Sequence, residues 1–186
     1  NAKLVTDLMD EINKREGTEV FTQEDKDKIL QAILVTIPSF DPKLSTVFQP
    51  NLNKDVGFIT RAIALADLGA AGMDGPERFI EEGNEVFREE NLDLYGADVR
   101  ELTDEQKENF KNRMLNWSSL QSKFAQGRKD RLDQELEGLP ESAKTALKEK
   151  LFSKFDESIE AAKDKVEQRK NMNFEELLTD MGYEIR

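Results

Sequence analysis

Apolar residues recur at three- and four-residue intervals almost from end to end of this chain. That spacing puts side chains on one face of an α-helix. Runs alternating apolar with polar and rich in Val, Thr and Tyr, the mark of a half-buried strand, are missing. The pattern predicts an all-α fold. Leu4, Leu8 and Ile12 mark a first helix ending near Gly17, and Ile29, Ile33 and Ile37 a second, capped by Thr22 with Asp25 three residues on. Pro38 and Pro42 stop that helix, and residues 38–53 read as an extended loop.

A third helix is expected from about Lys54 to Ala71, carrying Phe58, Ala62, Ile63, Ala66 and Ala70. Its alanines point to close packing among neighbours. Pro76 suits the first position of a fourth helix, which turns Phe79, Val86 and Phe87 inward. Residues 91–102 read as a second loop. Thr103 and Gln106 then form a capping box. From there one stripe contains Phe110, Met114, Trp117 and Phe124, continued by Leu132 and Leu136. A second runs from Ala143 through Leu151, Phe155 and Ile159 to Val166, with Gly138, Leu139 and Pro140 between them. Segments of about 103–137 and 140–170 are therefore expected to pair as long antiparallel helices. Asn173 caps a last short helix. The expectation is one all-α domain over 1–186, with 103–186 forming the helical hairpin and its short C-terminal helix.

Composition limits the chemistry. The 186 residues include no Cys and no His. A disulfide scaffold, a thiolate zinc site, a Ser-His-Asp triad and any imidazole acid or base are excluded. Twenty-seven basic against 39 acidic residues give a net charge of −12, which opposes binding to a nucleic-acid backbone. No apolar run approaches the roughly 20 residues of a membrane span, and nothing at the start reads as a signal peptide. The expected compartment is the cytoplasm.

One candidate stands apart. Asp67 is the only ionisable residue between Arg61 and Asp74, inside an apolar stretch where a carboxylate is costly unless paired or ligated. The plain reading has it facing solvent or capping a neighbouring helix. Its context is the run Ile29-Leu30-Gln31-Ala32-Ile33-Leu34-Val35-Thr36, then a loop, then Ala62 through Gly69 with Ala66-Asp67-Leu68 inside it. This order resembles the later half of an HD-domain metal-dependent phosphohydrolase over residues 1–95. The resemblance implies an HD-like helical bundle over 1–100 and places Asp67, near the bundle interior and the end of its helix, as a metal ligand. It implies a divalent metal and a small phosphorylated substrate for the complete protein. The family's His and His-Asp pair are absent, so the chain is expected to begin after them, as a start at Asn1 agrees with. A single carboxylate cannot fix a metal in a hydrolytic geometry, so this chain alone is not expected to be a competent enzyme.

The alternative is a non-enzymatic all-α interaction protein, forming homo-oligomers through its long helices. A further variant is a pseudo-enzyme holding an anion through Arg61, Arg78 or Arg88. Residues 91–98 place Asn91, Asp93 and Gly96 as an EF-hand loop would, but Tyr95 and Leu102 break that pattern, and the segment reads as an acidic loop. Glu77, Glu81, Glu82, Glu85, Glu89 and Glu90 read as a solvated helix face served by Arg78 and Arg88. Ser118, Ser119 and Ser122 have no base to activate them. The Trp117 stripe reads as core, and Trp117 is the chain's only Trp.

Overall fold

The computed structural model describes residues 2–184, and the fold is all-α apart from one small hairpin. Helices α1 (Ala2–Glu16) and α2 (Gln23–Val35) form a helical hairpin. Asn13 closes the turn between them: its Nδ2 donates to the Phe21 carbonyl at 2.7 Å, and its Oδ1 accepts the Phe21 N–H at 2.8 Å. The Thr22–Asp25 capping box forms as the sequence predicts.

The stretch read as a loop contains strands β1 (Ser39–Asp41) and β2 (Thr46–Phe48), paired antiparallel with Phe40 opposite Val47. Asp41 Oδ1 accepts the N–H groups of Lys43 and Leu44 and so builds the turn. Three-residue strands are too short to register as alternation.

The third helix is shorter than expected. Helix α3 spans Phe58–Asp67, and the separate turn α4 spans Ala70–Met73. Gly69 sits at the break, where a Cβ would lie 2.6 Å from the Leu65 carbonyl oxygen. Helix α5 (Pro76–Glu90) starts on Pro76, after Gly75 at φ 88°, and α6 (Leu92–Tyr95) is a single turn within the predicted second loop.

Helix α7 (Asp104–Glu135) is the 32-residue spine, opened by the Thr103–Gln106 capping box. Its expected partner is not one helix. It divides into α8 (Glu141–Ala146), a wide turn over Leu147–Leu151, and α9 (Phe155–Lys170). The Phe152 N–H reaches back five residues to the Leu147 carbonyl at 2.8 Å, and the Lys154 N–H donates to the Gly72 carbonyl at 2.9 Å. The widening lets the Phe152 and Phe155 rings stack at 6.2 Å against Gly72, where a Cβ would sit 2.6 Å from Phe155. Helices α7 and α9 do run antiparallel, since Lys129 meets Asp156 while Ser118 meets Arg169. Helix α10 (Phe174–Asp180), capped by Asn173, folds back onto α7.

Two apolar clusters flank the spine. One gathers Leu65, Phe79, Leu132, Leu136, Phe155 and Ile159; the other gathers Phe87, Met114, Phe174, Leu177, Leu178 and Met181. Each is accompanied by a buried charge. Arg169 donates to Asp180 at 2.7 Å, Ser118 at 2.8 Å and Asn84 at 2.9 Å. Arg128 makes two 2.6 Å bonds to Glu135, and Arg131 ties α7 to Asp41 of β1 at 2.8 Å. Among the described residues no helix is long and apolar enough to cross a membrane.

Candidate functional site

A cavity of about 410 Å³ opens where the hairpin, the end of α3, α5 and α7 meet. Helix α5 contributes Phe79, Glu82, Gly83 and Val86, and α7 contributes Trp117, Leu120, Gln121 and Phe124. Both sets follow the i, i+3, i+4, i+7 spacing of one helix face. The hairpin adds Phe40 and residues 45–47, and α3 ends beside it with Asp67 and Leu68. The walls are braced by Phe79 stacked on Phe124 at 6.2 Å and by Trp117 tilted against Phe87 at 5.8 Å. Trp117 Nε1–H donates to the Gly83 carbonyl at 2.8 Å, so its one polar group is already used. A Cβ at Gly83 would come 2.8 Å from Gln121 Oε1, the end of a flexible side chain that would have to turn aside. Phe40, Val86 and Leu120 remain exposed.

Asp67 is the last residue of α3, as expected, but it is exposed rather than interior. The reason is the helical turn: Arg61, Ala64 and Leu65 take the buried side of α3, and Asp67 projects beyond it. A carboxylate at a helix C-terminus meets the negative end of the helix dipole. Gln49 offsets this, with Nε2 donating to Asp67 Oδ2 at 2.8 Å. Gln49 is buried, and its Oε1 has no partner.

The other candidates are largely committed elsewhere. Arg113 takes both Asn91 and Asp93, whose carboxyl its hydrogen bond holds below the usual value. Arg100 holds the Asp98 carboxyl down to about 2. Arg61 is buried and donates to the carbonyls of Glu135, Asn53 and Lys54, while Arg88 donates to Met181 O at 2.6 Å. Arg78 pairs with Glu81 and Glu82 at 2.9 Å each. Ser118 donates to the Met114 carbonyl and accepts from Arg169, which makes it part of the frame. Among the described residues no three His, Cys, Asp or Glu side chains gather as a metal would require. Asp67 belongs to no such group among the described residues, and no hydrolytic step is derived from it.

The cavity itself was not readable from the sequence. The Trp117 stripe was, but nothing in its spacing says that α5 presents a matching face. No family model, curated protein or solved structure matches the chain.

Proposed function

We propose that this is a non-enzymatic helical interaction protein that pairs with a second copy of itself through α3. One observation carries the reading. Phe58, Ile59, Ala62, Ile63 and Ala66 form a continuous apolar stripe left exposed among the described residues; Phe58 is 78% exposed, Ile59 60% and Ile63 41%. A contiguous exposed apolar patch on a folded chain marks a surface that meets a partner. With roughly 150–250 Å² for a whole aromatic side chain, the stripe approaches the roughly 300–600 Å² of the largest apolar patch on ordinary monomers. It would form the apolar centre of an interface burying about 800 Å² per partner. The stripe carries no charge, so like can meet like about a two-fold axis without burying an ion. Ala62 and Ala66, one turn apart, are small enough to let a partner helix approach closely. Helices α7 and α9 spend most of their apolar residues on each other and on the two cores, which moves the expected self-association from the long helices to α3.

Light scattering at two protein concentrations tests this. A dimer is expected, and Ile63→Asp should convert it to monomer with an unchanged helical circular-dichroism spectrum. A wild-type monomer at both concentrations would overturn the reading.

The HD-like scaffold is the second reading, supported by Asp67 closing α3 beside a cavity. Asp67 without further ligands makes it a scaffold reading only. Titrating Mn²⁺ against the chain should leave its melting temperature unchanged. A rise that Asp67→Asn abolishes would instead favour metal binding.

A further inference from the structure

We infer that the cavity between α5, α7 and the hairpin binds a small molecule with an apolar, preferably aromatic, body and a cationic amine head. This is independent of pairing through α3.

Size and shape come first. The cavity lies within the roughly 300–1,000 Å³ range of small-molecule sites, which are mostly apolar with a few convergent polar groups. Its apolar wall is supplied by Phe79, Trp117, Leu120 and Phe124, and Phe40 stands exposed among the lining residues as a surface a ligand could cover.

Charge selects the head group. Asp67 and Glu82 line the cavity, and no Lys or Arg does. Glu82 is partly engaged by Arg78. Asp67 uses only Oδ2, toward Gln49, and its Oδ1 accepts no hydrogen bond among the described residues. The Gln121 side chain likewise makes none there. A carboxylate with an open acceptor beside an aromatic wall suits an ammonium group, through a charge-assisted hydrogen bond and cation–π attraction. The same wall repels carboxylates and phosphates, and the net charge of −12 reinforces that repulsion at long range.

Trp117 is the chain's only Trp and lines the cavity, so its fluorescence reports occupancy. Three probes share one body and differ in the head: 3-phenylpropylamine, 3-phenylpropanol and 3-phenylpropionate. The amine should give a saturable change in Trp117 emission and bind roughly tenfold more tightly than the alcohol, with the carboxylate weakest. Asp67→Asn should bring the amine close to the alcohol, and Phe40→Ala should weaken both. Asp67 and Phe40 are exposed, so these variants should keep the wild-type melting temperature. The inference fails if no probe saturates, if alcohol and amine bind equally to the wild type, or if Asp67→Asn leaves the amine's advantage intact.

Discussion

Arg169→Ala should cost about 3–5 kcal/mol of folding stability, the usual loss on removing one partner of a buried ion pair. Arg169 is 2% exposed and is the largest fully buried side chain among the described residues. Its guanidinium joins Asp180 at the end of α10 to Ser118 on α7 and Asn84 on α5. Truncation would leave Asp180 with Lys165 alone, at 2.5 Å, and strip the donors from Ser118 and Asn84. Lysine could not replace the three-way fork, because its ammonium is a compact charge on a flexible stem. Urea unfolding followed by Trp117 fluorescence measures the loss. Arg78→Ala, on an exposed cation with surface partners, should stay within about 0.5 kcal/mol of wild type.

The same network sets a pH dependence. Burial pushes the Asp180 carboxyl up, but hydrogen bonds from Lys165 and Arg169 outweigh it, and the net shift is downward. A lowered carboxyl contributes stability that is complete above its ordinary value of 3.8 and is lost as pH falls through its value in the folded protein. The opening free energy of α10, taken from hydrogen-exchange protection factors that correct for the intrinsic pH dependence of exchange, should therefore be steady near neutrality and fall in acid. Asp180→Asn should remove that acid-dependent step while lowering stability at neutral pH.

Gly127→Val should be the second most damaging change, at about 1–3 kcal/mol. Gly127 lies inside α7, where glycine by itself costs about 1 kcal/mol relative to alanine, so helix propensity favours replacing it. Packing decides the other way. A Cβ there would lie 2.4 Å from Thr46 Cβ and 2.9 Å from the Leu44 carbonyl oxygen. The hairpin would have to lift off α7, losing the Thr46 Oγ1–Phe124 carbonyl bond of 3.1 Å and the Arg128 bond to Val47 O. The cavity wall would move with it, so amine binding should fall together with stability. Gly57→Ala is the contrast: nothing lies within 4 Å of its added Cβ, and near-neutral stability is expected. Urea midpoints of the two variants make the comparison.

Legibility followed the range of the forces involved. Thr22, Thr103 and Asn173 cap their helices within three residues of themselves, and Pro76 starts α5 through its own ring, so each could be read locally. Gly127 gives no local sign of its role, which is close contact with a strand some 80 positions earlier. Arg128, Glu135 and Arg169 resemble surface charges in composition; each is buried by elements distant in the chain. Asp67 was recognised as unusual and placed at its helix end, while its exposure depended on which side of α3 the rest of the chain would cover.

By itself, the sequence determined the all-α class, most helix starts and the absence of imidazole and thiol chemistry, because hydrogen bonding within a turn and residue identity are local properties. Only the tertiary structure decided which apolar faces are covered, where the buried ion pairs close and that a cavity exists beside Asp67. Those outcomes depend on contacts between segments far apart in the chain, and helical periodicity states that a face is apolar without stating what lies against it.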